Sequence, residues 1–199
     1  MWAIVPAFAL ALGVGILRLA AGGPHALALL AAVATPALAG AGRGKAPVAA
    51  ALWLVAWRAD GLLAQAAAVA LIALAAATLA ELVSRVASRA VLAISLVVLA
   101  ALDVVLVWGT PQVGPASQAL HASSLPHGIP PLQDATFGGA TMGWLDFVAP
   151  ALLGVAVLHR RRAATVTGVA GCAWGLLLLV TSTVPATVPV VAGLVAATL

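Results

Sequence analysis

The chain has 199 residues, 64% of them hydrophobic and 7% charged, with a mean hydropathy of +1.19 and a net charge of +4. Such values exclude a soluble globular domain and point to an integral membrane protein. A single cysteine, Cys172, excludes an internal disulfide framework. The positive charge sits in short loops, above all "HRRR" at 159–162, where it anchors the chain beside anionic headgroups and calls for no nucleic acid.

Crossing about 30 Å of hydrocarbon takes roughly 20 apolar residues at about 1.5 Å each. Windows of that kind predict helices over 2–22, 24–42, 46–60, 61–84, 88–108, 140–158, 163–182 and 184–199. The first lacks the positive flank of a secretory signal and is read as retained. The third is short, since only Ala46 to Trp57 is uninterrupted, and about 12 residues rise about 18 Å. Loop charge favours counting it as a crossing. With it, Arg43, Lys45, Arg85, Arg89 and Arg160 to Arg162 oppose Arg18 and Arg58, a split of 7 to 2; without it the split is 6 to 3. Because short cytoplasmic loops collect Lys and Arg, the eight-helix arrangement predicts cytoplasmic termini and an outer connection over 109–139. The expected fold is an all-α polytopic membrane protein of about eight transmembrane helices, one domain over 1–199 made of N-terminal helices (1–87), a central pair (88–158) and C-terminal helices (163–199). Trp57 and Trp108 suit interface belts, and Gln65, Thr78 and Ser95 suit interhelical hydrogen bonds. Eight Arg against one Lys, with abundant Ala and Val, points to a GC-rich prokaryotic source and a multi-pass protein of the cell membrane.

Five acidic residues occur, and their placement is the informative feature. Asp60 and Glu81 fall near helix ends, within reach of Arg58 and Arg85, and Asp134 falls in the outer connection. Asp103 and Asp146 lie inside predicted spans, where a charge costs at least about 2.5 to 3.5 kcal/mol and ordinarily marks a pathway or a reaction. Asp103 precedes Trp108 by five residues on a span approaching the outer face, and Asp146 follows Ala140 by six on a span leaving it. Both should therefore sit about 8 to 9 Å below one surface and meet if their helices pack together. The alternative is that each acid bonds a Ser, Thr or Trp and fixes packing.

Three strings, "LDVVLVWGT", "MGWLDFVAP" and "TSTVPATVP", carry a family likeness. In order and spacing they resemble the motifs of the signal peptide peptidase and presenilin family of intramembrane aspartyl proteases. Asp103 is followed by Trp108, Gly109 and Thr110 as the first catalytic acid is by an aromatic-Gly-Thr ending. Gly143, Asp146 and Pro150 match the Gly-x-Gly-Asp motif and its later proline, and Pro185, Ala186 and Thr187 look like the Pro-Ala-Leu motif that opens the last helix. Leu102 stands in place of the usual tyrosine, Leu145 in place of the second glycine and Thr187 in place of leucine. A branched side chain at Leu145 narrows the room beside the acid. Loss of the family's first helix accounts for eight spans instead of nine, and an outer loop between the catalytic helices matches the signal peptide peptidase branch.

The resemblance implies an aspartic endopeptidase with Asp103 and Asp146 as catalytic dyad. Two close carboxylates hold one proton between them; the ionised member activates water and the protonated member donates to the scissile carbonyl. No metal or organic cofactor is required. The implied partners are the lipid bilayer and transmembrane peptides of N-in orientation, such as signal-peptide remnants. Around the dyad, Gly143 and Leu145 would line the substrate path. "DATFGGATMG" at 134–143, with Gly138 and Gly139, suits an extended strand that pairs with an unwound substrate. Pro185 and Pro189 prevent normal helical bonding, leaving carbonyls near 181–185 beside Ala186 and Thr187. His121, His127 and Asp134 match no compact ligand pattern, so no metal site is expected. The competing classes are an inactive relative serving as a membrane scaffold, a proton-coupled transporter using the same carboxylates, and a prepilin peptidase. The halves show no repeat of the kind transporters carry, and no cytoplasmic loop holds a prepilin peptidase's acids.

Overall fold

A computed structural model describes residues 24–42, 44–109, 118–119, 122, 129–156, 162, 165–166, 168–173, 176 and 187–198. The expected first span, most of 163–182, His121, His127, Pro185 and Ala186 lie outside the described residues. The described chain is mostly helical, in the order α1 (Pro24–Gly40), α2 (Ala46–Arg58), α3 (Gly61–Val86), α4 (Arg89–Gly109), β1 (Asp134–Phe137), β2 (Ala140–Gly143), α5 (Trp144–Ala156) and α6 (Val188–Thr198). Two of these helices, α3 and α4, are long and apolar enough to cross a membrane, with mean hydropathies of 2.2 and 2.9. They reproduce the expected spans 61–84 and 88–108 to within two residues. The doubtful third span forms a helix of 13 residues, about 20 Å long and shorter than the hydrocarbon layer.

The described residues fall into two compact units, one drawn from Met1–Ala75 and Gly114–Trp144, the other from Ala76–Val113 and Leu145–Leu199. In the first, α1 packs against α2. Small residues permit the close approach: a Cβ on Gly40 would lie 3.7 Å from the Ala46 Cα, an ordinary contact. Pro47 sits in the first turn of α2, where its missing N–H costs nothing. The far end of α2 carries Trp53 and Trp57 with ring centroids 5.3 Å apart and planes tilted by 36°, and the Arg58 guanidinium 4.4 Å above the Trp57 ring. This aromatic and cationic end is the arrangement expected of an interface belt.

The expected helix 140–158 starts four residues late, because 140–143 is strand. Gly138 and Gly139 have φ of 59° and 91°, positive at both central positions as a two-residue hairpin turn demands. That turn folds 140–143 back along 134–137 in the register Asp134↔Gly143, Ala135↔Met142, Thr136↔Thr141 and Phe137↔Ala140. Helix α5 can begin only after the ladder ends. The all-α expectation is corrected to this extent.

In the second unit, one apolar cluster joins three helices: Leu96 and Leu99 of α4, Ala149, Leu152, Leu153 and Ala156 of α5, and Val190 and Leu194 of α6. The buried residues of α4, Leu92, Leu96 and Ala100, recur every fourth position and form one stripe. The remaining faces of α4 present Ile94, Val97, Val98, Val105 and Trp108 outward.

Candidate functional site

Asp103 continues the buried stripe of α4, three residues after Ala100 and seven after Leu96. Residues at those offsets share a helix face, so the half-buried carboxylate is directed toward the packed side and away from Ile94 and Val98. Asp146 has the mirrored relation to α5, three residues before Ala149 and seven before Leu153. It too is half-buried. Leu96 and Leu153 belong to one cluster, so each acid stands seven residues, about 10 Å, along its helix from a member of that cluster. That register replaces the expected depth argument, which counted six helical residues before Asp146. Asp146 is instead the third residue of its helix.

The first turn gives Asp146 a physical reason of its own. An acid there meets the unsatisfied N–H groups and the positive end of the helix dipole. Pro150, four residues on, has no N–H to donate to the Asp146 carbonyl, so the helical ladder is interrupted at the acid.

The second half of the site comes from the start of α6. Thr187 accepts through its carbonyl from the N–H groups of Val190 and Val191, at 3.0 and 3.1 Å, which makes it the residue that opens the helix. A threonine in that position ordinarily caps its own helix; here its side chain is committed elsewhere. Its hydroxyl donates to Asp103 Oδ2 at 2.7 Å and its N–H donates to the same oxygen at 3.1 Å. Thr187 is 5% exposed, so both donors act away from bulk solvent, where hydrogen bonds are stronger and orientation is better fixed. The resemblance implies a substrate-side role for Thr187; in the structure its side chain bonds the acid. Pro185 and Ala186, its partners in the motif, lie outside the described residues, as do the carbonyls near 181–185.

The other expected site residues divide among the elements before α5. Gly143 closes β2 opposite Asp134, Gly138 and Gly139 form the turn, and the Leu145 backbone lies in the first turn of α5. Asp134, expected in an outer connection, is buried within β1. Two contacts were not foreseen. The Gly138 N–H donates to Gln65 Oε1 of α3 at 2.9 Å, and the Trp144 indole N–H donates to Thr35 Oγ1 of α1 at 3.2 Å. Gln65 is among the residues expected to bond between helices; Thr35 is not. Its signal was present as a polar residue beside Pro36 in an otherwise apolar run.

No family model, no curated protein and no solved structure matches this chain. The family likeness therefore rests on the three strings alone.

Proposed function

We propose that the chain is a multi-pass membrane aspartyl protease that hydrolyses peptide bonds inside transmembrane segments, with Asp103 and Asp146 as its acid–base pair. The observation that carries this reading is the register of the two acids. Each prolongs the buried stripe of an apolar helix, and the two stripes meet in one cluster at equal offsets. On α4 a carboxylate needs a reason to occupy such a stripe, because apolar side chains fill the preceding positions Leu92, Leu96 and Ala100. The hairpin that precedes α5 in the chain supports the same reading, since an unwound substrate needs main-chain partners where water is scarce.

In the proposed reaction, water gives one proton to the ionised acid as its oxygen bonds to the scissile carbonyl carbon, and the protonated acid donates to the carbonyl oxygen. Collapse of the resulting diol breaks the C–N bond: one hydroxyl returns its proton to the ionised acid as the carboxyl group forms, and the amine leaves with the proton of the other acid. The two carboxylates finish holding one proton, as they began. Thr187 fixes the rotamer of Asp103 and so the lone pair it presents. Single-span helices of N-in orientation are the proposed substrates, by the resemblance set out above.

A second reading draws on one observation: Asp103 Oδ2 already accepts two donors from Thr187. On that reading the acid ties α4 to the start of α6 and the protein is a non-proteolytic scaffold. Reconstitution with a panel of N-in single-span peptides separates the two. The protease reading requires cleavage by the parent and none by Asp103→Ala or Asp146→Ala; cleavage surviving either change would falsify it.

A further inference from the structure

We infer that Gln65 and Thr35 are positioning residues that hold the 134–143 hairpin in an extended, strand-accepting form; the inference rests on the protease reading for its purpose but not for its geometry. A hairpin with four residues in each strand is marginal by itself, so something outside its own ladder must keep it formed. Two side chains do so, at opposite ends. At the tip, Gln65 Oε1 accepts the Gly138 N–H at 2.9 Å; at the base, Thr35 Oγ1 accepts the indole N–H of Trp144, the residue that follows β2, at 3.2 Å. Beside Gln65 lies a cavity of about 90 Å³, lined also by Ala56, Ala64, Pro130, Pro131 and Thr136 among others, so the side chain that holds the tip is not itself tightly packed along its whole length.

The strand that this arrangement presents is β2. Asp134 and Ala135 at the start of β1 are buried, whereas Ala140, Thr141 and Gly143 of β2 are exposed. In a hairpin closed by two residues, the pair flanking the turn exchanges hydrogen bonds and the next pair does not. Thr136 and Thr141 form that next pair, and their hydroxyls lie 3.4 Å apart as closely spaced side chains of such a pair do. The Thr141 N–H and C=O therefore point away from β1, toward whatever strand lies alongside. The partner that fits is an extended peptide segment lacking main-chain partners of its own.

The test compares the parent with Gln65→Met, which keeps length and removes the acceptor, and Gln65→Glu, which keeps an acceptor oxygen. Each is assembled in lipid nanodiscs for amide exchange across 134–143 and for steady-state cleavage of an N-in peptide. Gln65→Met is expected to speed exchange about three- to tenfold, as loss of one hydrogen bond implies. Because a partly formed hairpin lowers the competent fraction, KM should rise about two- to fivefold with kcat changed less than about twofold. Gln65→Glu should restore both. Trp144→Phe, which removes the donor at the base, should also raise exchange and carries the same measurements if Gln65→Met does not fold. Unchanged exchange in both variants, failure of Gln65→Glu to rescue, or a fall in kcat with KM constant overturns the inference. Absence of cleavage by the parent overturns the protease reading instead, and exchange alone then decides the role of Gln65.

Discussion

Helices α3 and α4 are both long enough to span a membrane, yet they solve different problems. The less apolar α3, mean hydropathy 2.2, has 44% of its most apolar window buried; the more apolar α4, at 2.9, has 18%. In α3, Ala68, Leu71, Ile72, Ala75, Ala76 and Ala80 recur as a broad buried face built largely from small side chains. In α4 a narrow stripe of Leu92, Leu96 and Ala100 is buried and large aliphatic residues face outward. Within a bilayer, lipid tails are as apolar as leucine, so hydropathy tracks exposure to lipid and small residues track contact between helices. The informative residue is then the one that breaks the rule on the exposed helix. Asp103 lies on α4, on the stripe that packs with α5 and α6.

The largest expected effect tests what that acid is for. Asp103→Asn keeps an oxygen to accept from Thr187 and removes the ionisable group, and Asp146→Asn does the same at the other acid. Each should reduce cleavage of an N-in peptide about 10³-fold or more while the helical circular dichroism melt stays in place, since positioned acid–base groups contribute about 10² to 10⁴ each. Wild-type cleavage in Asp103→Asn would return this acid to a packing role and leave the α3–α4 contrast without a chemical meaning.

The next effect sharpens the other side of the comparison. Ala75 on α3 is fully buried, so Ala75→Leu forces three extra carbons into a filled face and should destabilise the protein by about 1 to 3 kcal/mol. Reversible unfolding in mixed micelles measures it. A neutral result would mean that small residues on α3 reflect composition and not close packing. Smaller again is Thr187→Val, isosteric but without the hydroxyl at 2.7 Å from Asp103 Oδ2. The main-chain donor stays, so kcat should fall about tenfold and Thr187→Ser should recover most of it, as one hydrogen bond to a polar group predicts.

Apolar length made α3 and α4 legible in the sequence nearly to the residue, because burial and lipid exposure both select for continuous apolar runs. The same property hid the start of α5: 140–143 is as apolar as a helix requires, and only the turn forced by Gly138 and Gly139 reveals a strand. The acids were legible because charge is rare here. The polar pairings were not, since Thr187 lies 84 residues from Asp103 and Thr35 lies 109 from Trp144, and no local pattern encodes a pairing at such range. Composition names the polar groups that need partners; only the fold says which ones meet.

The smallest expected effect is the sharpest probe of the contrast. Ile94 is 64% exposed on α4, two residues from Leu96, which is 2% exposed. Ile94→Ala removes as many carbons as a core truncation does, but if this face meets lipid the tails close over the shortened side chain without leaving a cavity. Its effect on unfolding in micelles should stay within about 0.5 kcal/mol, as for other substitutions away from packed features. A loss comparable to that of a buried aliphatic residue would show that the outward face of α4 is covered by protein in the membrane. The low burial of α4 would then describe a single chain rather than the assembled molecule, and Asp103 would no longer be the exception on an outward-facing helix.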